Sequence, residues 1–206
     1  MDKISSINFK AKPINKIAVQ KYSKSQKSFL PLKTTFVKLD SESRRDLLVV
    51  EYAAAKWKDA KYIQKIATAT HWMNNLPIDV YALTTQEKNF DKLILNKILG
   101  FAEMRPDDND SRFVMLHYLQ VKPEAISSSR AKVKNYNNVG SSILSLLKKV
   151  YKNISLFSED IPATHNFYRK NKFIRDQGCY SRYLWSSNPF MRLRIHYENF
   201  RKGVGI

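Results

Sequence analysis

The chain predicts an α/β fold with a mixed β-sheet, and three observations carry that prediction. Short apolar runs of strand type alternate with stretches whose apolar residues recur every three or four positions, as on one face of a helix. Between residues 34 and 186 these segments fall in the order β-α-α-β-β-β-α-β-α-β-β, which suits a sheet flanked by helices. Finally, 43% of the 206 residues are hydrophobic and 12% aromatic, enough to bury a core.

Residues 1–33 carry Lys3, Lys10, Lys12, Lys16, Lys21, Lys24, Lys27 and Lys33 against Asp2 alone, and their apolar residues are thin and irregular. They read as a basic N-terminal arm, flexible or loosely docked. The main domain is expected over residues 34–186. "TTFVKL" opens it as a strand. Leu47, Val50, Ala54 and Trp57 then mark one helix, and Ile63, Ile66, Ala67 and Thr70 a second, which Asn74, Asn75 and Pro77 end. "DVYALTT", "NKILGFAEMR" and "RFVMLHYLQV" are strand-like, with the turn cluster "DDNDS" before the last. After a long basic loop, Ile143, Leu146, Leu147 and Val150 define a helical face. "NISLF" is a short strand, and "SEDIPATHNFYRKN" a helix with Pro tolerated in its first turn. "KFIRD" and "CYSRYLW" are closing strands, and residues 187–206 read as a basic C-terminal tail.

Lys and Arg number 36 against 18 acids, a net charge of +18. That balance attracts polyanions such as nucleic acid, an acidic membrane face or a phosphorylated ligand, and it equally serves as a solubilising surface. Cys179 is the only cysteine, so an internal disulfide and a multi-cysteine metal site are excluded, which favours a reducing cytosol. No apolar stretch reaches signal-peptide or bilayer-spanning length. The expectation is a soluble cytoplasmic protein with no membrane partner.

"NNVGSSILSLLKK" places Gly140 at the mouth of a helix just after the basic loop. A helix N-terminus presents about four unpaired amides and roughly half a positive charge, a ready anion site. Glycine there permits a positive φ and close approach of a phosphate. The same residues also suit an ordinary helix start.

Taken together, "LQVKP" (Leu119, Val121, Pro123), "NNVGSS" (Gly140, Ser142) and "FYRKNKF" (Phe167, Tyr168, Phe173) resemble the motifs of the GNAT (Gcn5-related) family of acetyl-CoA-dependent N-acetyltransferases. The resemblance covers roughly residues 34–186. It departs at Asn137, where Arg or Gln is usual, at Ser142, at Lys172 in place of a closing Gly, and at Ile161 in place of a common CoA-contacting Asn.

The resemblance implies a splayed mixed sheet of about six to seven strands with about four helices. It implies acetyl-CoA as donor and no metal. Pantetheine would lie along the backbone of Leu119, Gln120 and Val121, pairing as an added strand does. The pyrophosphate would sit on the amides of Asn137, Asn138, Val139, Gly140, Ser141 and Ser142, with Asn166 as a further contact. Lys148, Lys149, Arg169 or Lys170 would meet the remaining phosphate.

Tyr168 matches the family's acid for the leaving thiolate, a role that suits a phenol with a pKa near ~10, although a packed aromatic would look the same. His117 is a candidate base, with Glu103 and the pair Glu159/Asp160 as rivals. The acceptor is an amine of unstated kind: a small amine, a protein, or the aminoacyl group of a charged tRNA gripped by Arg130, Lys132, Lys134, the arm and the tail. A non-catalytic adaptor for RNA or the ribosome is the competing reading.

Overall fold

The computed structural model describes residues 11–40, 43–57, 60–70, 77–125, 135–179 and 181–204. Among them are β1 (Lys12–Ser23), β2 (Ser28–Lys38), α1 (Arg44–Lys56), α2 (Ile63–Thr70), β3 (Asp79–Thr84), β4 (Ile98–Pro106) and β5 (Val114–Val121). There follow β6 (Tyr136–Asn137), α3 (Val139–Val150), β7 (Asn153–Phe157), α4 (Pro162–Lys170), β8 (Ile174–Arg175), β9 (Arg182–Ser186) and α5 (Pro189–Gly203). One mixed sheet runs in the order β6-β1-β2-β3-β4-β5-β7-β9-β8. Among the described residues every neighbouring pair is antiparallel except β5 with β7.

Because side chains alternate across a strand, each strand feeds two cores. Val37, Val80 and Ala82 join Val49, Val50, Ala53, Ile63 and Ile66 of α1 and α2 on one side. Phe36, Tyr81 and Leu83 join Ile143, Leu144, Leu146 and Leu147 of α3, with Tyr168 of α4, on the other. Hydrophobic burial of this kind contributes about 25 cal/mol per Å², so the two helical layers hold the sheet between them.

Three expectations are corrected. Residues 12–33, expected as part of a loose arm, form most of a long antiparallel hairpin paired from Lys12↔Lys38 to Ser23↔Ser28, with one register shift between Pro13 and Asn15 and with Val19 buried in the core. The exposed positions of β1 mix Lys12, Lys16 and Lys21 with Ile14 and Ala18, so no alternation stands out, and Pro13 and Pro31 break the strand signal. Pro31 is tolerated because β3 pairs with β2 only from Thr35 to Lys38, so the missing donor costs no ladder bond there. Residues 1–10 lie outside the described residues. The expected C-terminal tail is the helix α5. The sheet therefore has nine strands and the chain five helices among the described residues, against six to seven and four expected.

Gly100 lets α3 settle against the end of β4 and β5. A Cβ there would stand 2.9 Å from the Gln120 carbonyl oxygen and 2.9 Å from Ile143 Cδ1. Gly100→Ala is expected to destabilise the chain by about 1–3 kcal/mol through overpacking. Urea unfolding should show a lower midpoint at constant slope; an unchanged midpoint would refute the tight fit.

Candidate active site

β5 and β7 begin side by side and then part. Their parallel ladder pairs Val114↔Ile154, Met115↔Ser155 and Leu116↔Leu156, and ends there. β5 runs on to Val121, held on its other side by β4 as far as Gly100↔Val121. From His117 onward, one edge of β5 has no strand partner among the described residues. The parting coincides with a bulge: Glu103 opposes Tyr118 while Met104 opposes Leu116, so His117 is the extra residue. A bulge bends its strand and raises the local twist, which turns β5 away from β7.

A cavity of about 330 Å³ opens in the gap, lined by Leu116–Leu119, Phe157–Glu159, Thr164, Tyr168 and Tyr62. A second, of about 310 Å³, shares His117 and Tyr118 and adds Lys65, Ile78, Glu103 and Arg105 among its walls. His117 thus stands between two chambers. Its Nδ1 lies 2.8 Å from Glu103 Oε1. Glu103 is 1% exposed, and its Oε2 is buried with no hydrogen-bond partner. The Glu103 carboxyl group thus fixes the orientation of the imidazole ring through Nδ1. Two residues expected as rivals for the base therefore form one unit.

Tyr168 is 9% exposed; its ring packs against Phe167, Phe173 and Tyr183. Burial, then the neighbouring Tyr183, raises its pKa well above the usual phenol range. The phenol stays neutral and keeps its proton. The acidic pair is disposed differently. Glu159 binds Lys61 and, at 2.6 Å, accepts from the Tyr62 hydroxyl. Those hydrogen bonds, Lys61 first, lower its pKa, which makes it a poor base. Asp160 lies 2.6 Å from His165 Nε2 and is exposed.

The turn before α3 departs from its sequence reading. The residue in the left-handed region is Asn138, with φ 62° and ψ 11°, not Gly140. Gly140 serves close packing: a Cβ on it would lie 3.1 Å from Phe167 Cζ and 3.7 Å from Val121 Cγ1. Elements β5, α3 and α4 meet at this point. The Asn138 amide donates to Asn137 Oδ1 at 3.1 Å, and the Ser142 amide to the Asn138 carbonyl at 2.8 Å. Val139, Gly140 and Ser141 supply the first amides of α3, which helix geometry leaves without intrahelical acceptors. The hairpin braces the turn: Asn137 pairs with Gln20 in the β6–β1 ladder and donates from Nδ2 to its Oε1 at 3.1 Å.

The remaining expected residues are placed as follows. Lys148 and Lys149 lie in the last turn of α3, far from its N-terminus. Lys148 donates to the Asn171 carbonyl and sits 4.5 Å from the Phe173 ring centroid. Burial, then Lys172, lowers its pKa to about 8; it clamps α3 to the end of α4. Asn166 is exposed on α4, where its Oδ1 accepts from Arg169 at 3.1 Å. Gln120 is buried and bridges elements: its Oε1 accepts from the Tyr62 amide at 3.1 Å and its Nε2 donates to the Val121 carbonyl at 2.8 Å. Arg130, Lys132 and Lys134 lie outside the described residues. Tyr62 and Thr164 were not foreseen in the cavity, and no local signal marks them. Among the described residues no cluster could hold a metal ion, and no helix is long and apolar enough to cross a membrane.

No protein-family model and no curated protein matches the chain. Solved structures with a similar outline include AtaTR bound with acetyl-CoA, at 12% identity and TM-score 0.48, covering 78% of this chain and 98% of that one. AtaT complexed with acetyl-methionyl-tRNAfMet is 10% identical at TM-score 0.47, covering 78% and 99%. A protein described as a GNAT-family acetyltransferase from Desulfovibrio desulfuricans is 12% identical at TM-score 0.46, covering 74% and 98%. At this level no residue's role is taken from them.

Asn138 provides a test of the turn. A left-handed backbone costs a Cβ-bearing residue roughly 1–2 kcal/mol, which Asn partly offsets and Gly avoids. Asn138→Ala should lower stability by about 1 kcal/mol in urea titration, whereas Asn138→Gly should match or exceed the unaltered chain. Equal losses in both variants would contradict the left-handed assignment.

Proposed function

We propose that the chain transfers an acetyl group from acetyl-CoA directly to an amine. One observation carries the reading: β5 and β7 part at a bulge, and the gap holds a buried neutral phenol and a carboxylate-held imidazole beside the opening turn of α3. The exposed edge of His117–Val121 suits a pantetheine arm, whose amides would complete the interrupted ladder. The amides of Val139, Gly140 and Ser141 suit the pyrophosphate. The thioester would then reach the chamber walled by Leu116, Tyr168 and Tyr62.

The acceptor enters through the second chamber, where the buried Glu103 carboxylate attracts an ammonium group and Tyr118 and Ile78 flank its stem. His117 Nε2 first takes one proton from the ammonium group, and the freed lone pair attacks the thioester carbon. The C–N bond forms, the C–S bond breaks, the departing thiolate takes the Tyr168 proton, and the second proton lost by the nitrogen returns to the Tyr168 oxygen. Lys65 and Arg105 at the same chamber, with the net charge of +18, favour an acceptor amine carried on an anionic molecule, an aminoacyl-tRNA among them.

A basic adaptor for RNA or the ribosome is the second reading. It draws on the same charge and on the Asn137 carboxamide, which already occupies the Asn138 amide. Ligand binding separates the two. Acetyl-CoA at about 100 times its Kd should stabilise a transferase by about 2.7 kcal/mol, and an adaptor by nothing. Tyr168→Phe should then bind acetyl-CoA as before while turnover falls roughly 10²–10⁴-fold, the usual worth of a positioned proton donor. Unchanged turnover would remove Tyr168 from the mechanism.

A further inference from the structure

α5 presents an apolar seam to solvent. Phe190, Leu193, Tyr197 and Phe200 are 81%, 67%, 63% and 65% exposed, and Val204 continues the line at 50%. Their spacing alternates three and four residues, the a/d pattern of a coiled coil, over a length of about 21 Å.

The helix that carries this seam is held in place. Ile195, on the opposite face, is 3% exposed and packs with Phe113 and Leu184. Asn199 donates to the Arg175 carbonyl at 2.8 Å and accepts from the Gln177 amide at 3.0 Å. Lys202 reaches Asp176 at 2.7 Å. Asn188 caps the start, accepting from the Phe190 amide at 2.9 Å. The seam is therefore a fixed outward face. Elsewhere the exposed large hydrophobics are scattered, as on any surface.

We infer that this face docks an acidic amphipathic helix of a partner protein. The occupant follows from charge and width. Arg194 and Arg201 border the seam on one side and His196 on the other, at positions that in a coiled coil set partner choice. In a second copy, antiparallel pairing sets Arg194 against Arg201, and parallel pairing sets His196 against Arg201. Neither arrangement gains an ion pair, so self-association is disfavoured. A helix with Glu at the positions facing the two arginines gains an ion pair with Arg201 and a second carboxylate for Arg194, which already holds Glu198 at 2.7 Å along α5. A membrane surface would call for a broad apolar face, whereas this one is the narrow two-in-seven seam of helix–helix packing.

The test uses the full chain and two labelled synthetic helices, identical in their Leu a and d positions, one with Glu and one with Lys at e and g. Fluorescence anisotropy should show binding of the Glu peptide in clear preference to the Lys peptide. Leu193→Glu/Phe200→Glu should abolish that binding with the circular-dichroism melt unchanged. Arg194→Glu/Arg201→Glu, which keeps the seam, should invert the preference. Equal binding of both peptides, or no binding of either, would overturn the proposal. So would a dimer in light scattering that Leu193→Glu/Phe200→Glu dissolves, which assigns the face to a second copy. Sedimentation with phosphatidylserine vesicles, lost in that variant and without peptide preference, would assign it to a membrane and equally overturn it.

Discussion

The bulge at His117 is the constraint on which the rest of the site depends. Paired strands satisfy each other's backbone groups, and a strand that leaves its neighbour must find other partners for them. Here β5 leaves β7 after Leu116, and the extra residue that turns it is itself a proton-accepting side chain. One local irregularity thus opens the chamber, exposes a strand edge, and sets the imidazole between the two cavities. Gly100 and the hairpin secure the geometry from either side. The first lets α3 approach β4, and the second ties Asn137 to Gln20.

The ionisable groups around the chamber are sorted by their surroundings. Tyr168 lies among aromatic rings and is kept neutral by burial. Glu159 lies near the mouth, where Lys61 and Tyr62 hold it ionised. Glu103 is buried against His117 and acts through it. The buried phenol, the ion-paired carboxylate and the imidazole against Glu103 therefore differ in environment more than in chemical type, which is how neighbouring groups acquire separate proton affinities.

The strands β2 to β5 and β7 to β9 and the helices α1 to α4 were legible because their apolar periodicities are strong and their breaks are marked by Pro, Gly and Asn, whereas the two-residue β6 lies within what reads as the basic loop. β1 was not legible, since its exposed positions mix lysines with Pro13, Ile14 and Ala18 and only Val19 is buried along it. The α5 spacing was present in Phe190, Leu193, Tyr197 and Phe200, but the surrounding arginines made it look like a tail. Among the cavity residues, Tyr168 and His117 are named by the family resemblance of the segments that carry them. That Glu103 would hold His117 could not be read there, because it depends on the β4–β5 register and its bulge. Tyr62 and Gln120 meet only through the tertiary fold, and whether Lys148 lies beside the turn at Asn138 or at the far end of α3 is a matter of helix length.

The direct test of the central claim is hydrogen–deuterium exchange with and without acetyl-CoA. If the parted edge receives a pantetheine arm, the segment 117–121 should gain protection together with the opening turn of α3 at 139–142, while the hairpin at 12–38 stays unchanged. Protection at neither segment under saturating ligand, or only a uniform slowing across the sheet, would contradict the account.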